Sequence, residues 1–138
     1  MLSKPEGIAP LFLVEDVVRA AEYYRDKLGF EIGTYFLDPP VFVIVRRDKI
    51  AIMLSWTDCA HGGSNSKWKT ESFDAYIWVD SVGDVHTQLT TRHADVVSDP
   101  QLKSYGMKEF DVRDADGYVI RFGEDVPGSA NAGRCEEA

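Results

Sequence analysis

The chain has 138 residues, with 23 acidic against 15 basic side chains and a net charge of −8. That length buries roughly two thirds of the unfolded surface, so one compact domain, or two small modules sharing a core, holds without disulfides. The acid excess argues against nucleic acid or an anionic membrane surface as partner and permits a cationic ligand.

Two cysteines, Cys59 and Cys135, are too few for a disulfide framework or a zinc site. There is no signal-peptide pattern and no apolar run long enough to span a bilayer, so the expected address is the cytoplasm.

Residues 1–7 read as a flexible lead. Ile8 to Val14 is a short apolar strand. Asp16 is a good N-cap, because its carboxylate can accept from the open amides of the next turn. The spacing predicts a helix from about Val17 to Leu28, with Val17, Ala20, Ala21, Tyr24 and Leu28 on one stripe. Gly29 stops it. Phe30 to Leu37 reads as a strand, broken by Asp38-Pro39-Pro40. Val41 to Arg46 and Ile50 to Trp56 form a hairpin around Arg47-Asp48-Lys49. A long polar loop, Thr57 to Ser72, carries Gly62-Gly63-Ser64-Asn65-Ser66 and Trp68. Phe73 to Val79 is the next strand. Asp80 or Ser81 caps a helix from about Val82 to Thr91. Ala94 to Ser98 is a short strand, and Asp99 to Ser104 a loop.

Tyr105 to Glu124 gives the clearest signal in the chain. Met107 to Arg113 alternates with period two, Asp114-Ala115-Asp116-Gly117 is a turn, and Tyr118 to Gly123 alternates again. Residues 126–138 read as a disordered tail. The predicted layout is module one over 8–58, a loop over 59–72 and module two over 73–125, together a single domain.

The element order repeats: strand, helix, three strands, twice over. Val14-Glu15-Asp16-Val17 aligns with Val79-Asp80-Ser81-Val82, and Met53-Leu54 with Arg121-Phe122. Neither half easily buries a one-sided sheet alone. Period two sorts the strands into faces. Phe12, Val14, Ile52, Leu54, Ile77, Ile120 and Phe122 share an apolar face against the helices. The opposite face carries Phe42, Asp74, Tyr76, Trp78, Glu109, Asp111 and Arg121. Aromatic walls with a few convergent polar groups suit a ligand cavity. A solvent-wetted sheet face or a dimer interface suits the same pattern.

These segments resemble the vicinal oxygen chelate superfamily, the glyoxalase, bleomycin-resistance and extradiol-dioxygenase group. VEDVVRAAEYYRDKLGFE resembles its strand–Asp–helix–Leu-Gly-Phe signature, and YGMKEFDVRDADGYVIRFGE its D-P-D-G hairpin, with Ala115 at the usual proline. The resemblance implies an α+β fold of paired βαβββ modules, a curved mixed sheet around a cleft, and a homodimer. It also implies four strand positions that hold metal ligands in the enzymes, here Ala9, Met53, Asp74 and Arg121. Only Asp74 is a plausible ligand for a hard divalent cation. The resemblance therefore points to the metal-free, bleomycin-resistance-like branch, with no metal and no cofactor.

Asp74 and Arg121 are expected to pair, either as a ligand anchor or as a structural bridge. Tyr76, Trp78, Trp56, Trp68 and Phe42 are candidates for stacking a flat or cationic ligand, or plain core residues. Glu109 and Asp111 would supply negative potential, or merely line a solvated face. His61, His86 and His93 show no metal-ligand spacing. The expected function is binding of a small organic ligand, a cationic aromatic drug in type, with no nucleic-acid or membrane partner. The alternatives are a metal-dependent lyase, isomerase or dioxygenase with an atypical site, and a dimeric interaction protein with a vestigial cleft.

Overall fold

The computed structural model describes residues 2–59 and 63–128. It falls into two compact units, Met1–His61 and Gly62–Ala138. The tail beyond residue 128, with Cys135, and His61 in the loop lie outside the described residues.

In the first unit, β1 (Leu11–Val14) leads into α1 (Val17–Leu28), β2 (Glu31–Ile32), β3 (Phe42–Arg47) and β4 (Ile50–Trp56). Asp16 caps α1 by accepting from the Arg19 amide at 3.0 Å, and Gly29 ends it in the left-handed region. The helix buries Val17, Ala20, Ala21, Tyr24 and Leu28. The sheet order is β1-β4-β3-β2, with β1 parallel to β4 and the other pairs antiparallel. Phe12, Val14, Val43, Val45, Ile52 and Leu54 are buried on one face.

The second unit repeats the plan. Its elements are β5 (Ala75–Trp78), α2 (Val82–Thr91), β6 (Asp95–Val96), β7 (Gln101–Leu102), β8 (Met107–Arg113) and β9 (Val119–Asp125), preceded by a 3-10 turn at Asn65–Lys67. The sheet order is β5-β9-β8-β6, and β7 also pairs with β8. Ser81 caps α2, and Glu124 Oε1 accepts from the Val82 amide at 3.0 Å, fixing the helix start to β9. Ile77, Phe110, Val112, Ile120 and Phe122 are buried, as are Val82, Val85 and Leu89 of α2. Phe110 stacks on Phe122.

The registers show the internal repeat directly. Leu11 lies opposite Met53 in the first parallel pair, and Tyr76 opposite Arg121 in the second. On the antiparallel side Ile44 lies opposite Met53, and Asp111 opposite Arg121. Both sheets are mixed and each carries its helix on the apolar face, an α+β fold of two βαβββ-like modules.

Two local expectations need correcting. Phe30 to Leu37 is not one strand: only Glu31–Ile32 pairs, and Phe36 returns as an isolated bridge to Phe42. Asp99 to Ser104 is not all loop, since Gln101 and Leu102 pair with Glu109 and Lys108. Within the long loop, residues 64–74 are tied together by side-chain hydrogen bonds around Asp74.

The β8–β9 turn is held by Asp114, which is 5% exposed. Its Oδ1 accepts from the amides of Asp116 (2.9 Å) and Tyr118 (3.0 Å), while Gly117 takes φ +89°. Asp114→Ala leaves two turn amides without their acceptor. It is expected to lower stability by about 2 kcal/mol in urea unfolding, and Asp114→Asn, which keeps an acceptor oxygen, by less.

Candidate functional site

The face of the second sheet turned away from α2 is unusually polar for a strand surface. Two rows of side chains cross it. Tyr76, Arg121 and Asp111 stand opposite one another on β5, β9 and β8, and Trp78, Gly123 and Glu109 form the next row.

Glu109 is the most constrained member. It is only 3% exposed, where an unpaired carboxylate costs several kcal/mol. Three groups meet it. The Tyr76 hydroxyl donates to Oε2 at 2.6 Å, and the Tyr105 hydroxyl donates to Oε1 at 2.7 Å. Arg121 Nη1 approaches Oε1 at 4.0 Å.

Tyr76 reaches Glu109 diagonally, from β5 across β9 to β8. It can do so because β9 offers Gly123 in that row. A Cβ on Gly123 would overlap the Tyr76 hydroxyl oxygen. The glycine is thus a clearance for the phenol, whatever its backbone angles.

Arg121 is equally fixed. Nε donates to Asp111 Oδ1 at 2.7 Å and Nη2 to Asp111 Oδ2 at 3.0 Å, a two-pronged carboxylate grip. Nη2 also donates to the Glu71 carbonyl at 3.1 Å. The guanidinium carbon lies 4.7 Å from the centre of the Phe73 ring. Phe73 meets Tyr76 edge-on, and Tyr76 packs against Trp78 with ring centres 4.8 Å apart.

This network shifts its acid–base groups. Burial, then the hydrogen bond to Glu109, pushes the Tyr76 phenol well above the ordinary range. The same causes push Tyr105 up to about 12. The hydrogen bond to Asp111 raises Arg121 further, against the opposing effect of burial.

Beside the network lies a cavity of about 370 Å³, within the rough 300–1,000 Å³ span of small-molecule sites. Asp111, Arg113, Val119 and Arg121 form its strand side, residues 66, 71 and 72 one rim, and residues 97, 98, 101 and 103 another. Its charged residues are Glu71 and Asp111 against Lys103, Arg113 and Arg121. Arg113 is also paired with Asp95 at 3.0 Å and Arg121 Nη1 approaches Glu109 at 4.0 Å, so the wall carries no positive excess.

Within the second unit the structure therefore brings together Tyr76, Trp78, Glu109, Asp111 and Arg121, and Asp74 does not join them. Asp74 does not pair with Arg121. Its Oδ2 accepts from Ser64 Oγ and the Val119 amide, both at 2.8 Å, and its Oδ1 from the Asn65 amide at 2.7 Å. The parallel register explains this: Asp74 abuts Val119, while Arg121 stands beside Tyr76 and directly opposite Asp111. Phe42 and Trp56 belong to the first unit. There Trp56 lines an apolar cavity of about 480 Å³ with Val17, Val18, Pro39, Pro40 and Val41, beside Glu15 and Asp16.

The expectation of an acid-lined wall is also corrected for the second-unit cavity. Asp111 lines it but is paired with the Arg121 guanidinium, and Glu109 lies outside its lining, where two phenols donate to it. Trp68 is 85% exposed. His86 packs edge-on against Phe110 and its Nε2 lies 3.4 Å from Asp99.

Tyr105, Phe73 and Glu71 were missed by sequence reasoning. Tyr105 precedes Glu109 by four residues, a spacing that means nothing across a loop-to-strand junction. Phe73 and Glu71 sit in a segment that reads as loop and strand edge.

The positions that hold metal in the resembling enzymes do not suit one here. Ala9 has no donor atom, Met53 offers a thioether, and Arg121 is a cation. The Asp74 carboxylate already takes three hydrogen bonds. Among the described residues no group of three or more His, Cys, Asp or Glu could hold a metal ion. No helix among them is long and apolar enough to cross a membrane.

Raised phenol pKa values carry a sign. A tyrosine whose folded pKa exceeds its ordinary 10.0 adds stability below about pH 10 and loses that contribution as pH climbs through the folded value. In an absorbance titration of the native protein, Tyr76 and Tyr105 are expected to ionise above the ordinary phenol range. Glu109→Gln should bring both down part of the way. Gly123→Ala, which displaces the Tyr76 phenol, should bring down Tyr76 and leave Tyr105 high.

No protein-family model matches the chain, and no curated protein matches it. Solved structures do. TioX from Micromonospora sp. ML1 superposes with a TM-score of 0.69 at 18% identity, covering 88% of this chain and 100% of its own. A glyoxalase/bleomycin resistance protein/dioxygenase from Alicyclobacillus acidocaldarius gives 0.74 at 12% identity, over 95% and 99%. A bleomycin-binding protein complexed with bleomycin gives 0.67 at 17% identity, over 88% and 99%. With two βαβββ-like mixed sheets and these structural likenesses, the chain has the glyoxalase/bleomycin resistance fold.

Proposed function

We propose that this chain is a member of the vicinal oxygen chelate superfamily that binds a small organic molecule, without a resident metal, in the cavity of its second unit. One observation carries the reading. Arg121 and Asp111 stand on the cavity wall, locked to each other and backed by the Tyr76–Glu109–Tyr105 cluster. Polar groups held this firmly before a ligand arrives lower the ordering cost of binding. The bleomycin-binding neighbour supports small-ligand binding as the general role.

The donor set argues against the metal-dependent lyase, isomerase or dioxygenase alternative. Arg121 and the satisfied Asp74 stand where that chemistry would need ligands. A homodimer belongs to the same reading and is supported by Leu11 and Leu13, each about half exposed on β1.

A cationic aromatic ligand finds its acids and its ring elsewhere, in the first-unit cavity with Glu15, Asp16 and Trp56. Quenching of tryptophan fluorescence by a cationic dye, lost in Trp56→Phe, would support that second reading.

The main reading is tested by an amide-resolved NMR screen of anionic, neutral and cationic fragments against the full chain. Saturable shifts at the amides of Ser98, Gln101 and Arg121 are expected. A screen that moves none of them overturns the reading. Elemental analysis of the purified protein should find no stoichiometric transition metal. Metal bound through Asp74, lost in Asp74→Ala, would reverse the ranking of binder over enzyme. Sedimentation velocity across a concentration series checks the dimer, and a monomer at all concentrations removes it.

A further inference from the structure

The two units close their parallel ladders alike and then diverge at one position. In the first unit Trp56 stands opposite Val14 at the end of β4. The repeat puts Glu124 at the matching place on β9, one residue beyond Gly123, which stands opposite Trp78. The helices start alike too. Asp16 caps α1 by accepting from the Arg19 amide, and Ser81 caps α2 by accepting from the Asp84 amide.

What the strand end does to the helix start is different. In the second unit the Glu124 carboxylate crosses over and accepts from the Val82 amide at 3.0 Å. The matching pair in the first unit is Trp56 and Val17. An indole N–H donates and does not accept, so that bond cannot form. The Val17 amide has no hydrogen-bond partner among the described residues. Trp56 stays 47% exposed. It lines the cavity of about 480 Å³ together with Val17, Val18, Val41 and the Pro39-Pro40 pair.

That wall selects an occupant. It is mostly apolar, as small-molecule sites usually are. Its charged residues are Glu15 and Asp16, with no basic residue among the lining. Asp16 is committed to the open end of α1. The Glu15 side chain has no ion pair or hydrogen bond among the described residues. An apolar cleft edged by an uncommitted carboxylate attracts an organic cation and repels an anion.

Resting on the reading of the first-unit cavity as the place of a cationic ligand, we propose that Trp56 opens this site and fixes what it takes: an organic ammonium carried on a flat apolar body. The indole omits the closing carboxylate that its counterpart Glu124 supplies, and it offers the ligand's body an aromatic face. The ammonium lies toward Glu15.

Three probes of similar size carry the test: 2-phenylethylammonium, 2-phenylethanol and phenylacetate. Each is added to the full-length chain at fixed ionic strength and read by amide shifts at Val18, Val41 and Trp56. The ammonium is expected to give saturable shifts. The alcohol should bind about fivefold more weakly, the scale of an exposed ion pair, and phenylacetate should give no saturable change. Glu15→Gln should bring the ammonium down to the level of the alcohol. Trp56→Gln, whose amide oxygen can rebuild the bond to the Val17 amide without adding charge, should abolish ammonium binding and slow hydrogen exchange at Val17. Trp56→Phe keeps a ring and supplies no acceptor, so the shifts at Val18 and Val41 should remain although the fluorophore is gone. Ammonium binding undiminished in Trp56→Gln would overturn the role of Trp56 and leave the first-unit cavity as a site. Equal binding of the three probes would overturn the ammonium assignment. Silence from all three in the unaltered chain would overturn the first-unit reading itself. Unchanged spectral dispersion in the Trp56 variants shows that they fold.

Discussion

A carboxylate with almost no exposure to water sets the terms for the whole outer face of the second sheet. Glu109 occupies a strand position where an apolar residue would be the cheap choice. Satisfying its oxygens there requires donors from outside its own strand. They come from β5 as Tyr76, from the loop before β8 as Tyr105, and from β9 as the nearby Arg121. Each donor is then committed. Tyr76 must lie flat across Gly123, and Arg121 must share its charge between two acids. The cavity beside them inherits a rigid, pre-satisfied wall.

Much of the scaffold could be read from the residues. The apolar stripe from Val17 to Leu28 and the cap and stop beside it mark α1 to the residue, because helix periodicity over three turns is a strong signal. The β8–β9 hairpin is equally plain, since its turn needs the short acids and the glycine it contains. The buried and open faces of the strands also follow from period two.

Partner choice on the open face could not be read so well. Alternation says that Asp74 and Arg121 share a face, but it does not say which neighbour each one meets. The parallel β5–β9 register places Arg121 across from Asp111, while the loop at Ser64 and Asn65 captures Asp74 first. Local side-chain to backbone bonding competes well against a longer-range ion pair. Short strands such as Gln101–Leu102 carry no period to detect, and Tyr105 reaches Glu109 through a chain bend. The same limits made the acids look available when they are not.

The two parallel pairings impose an order of events on the chain. Each unit's first strand is an edge that waits for its last strand: Leu11–Val14 for the segment at Met53 to Trp56, and Ala75–Trp78 for Ile120 to Gly123. Everything between must be synthesised and brought round before either ladder closes, and such distant pairings slow folding. On the ribosome the N-terminal unit can therefore finish before the second has its closing strand. During that interval Asp74 lacks the Val119 amide that later joins the Ser64 and Asn65 groups already beside it, and Tyr76 lacks Gly123, across which it reaches Glu109.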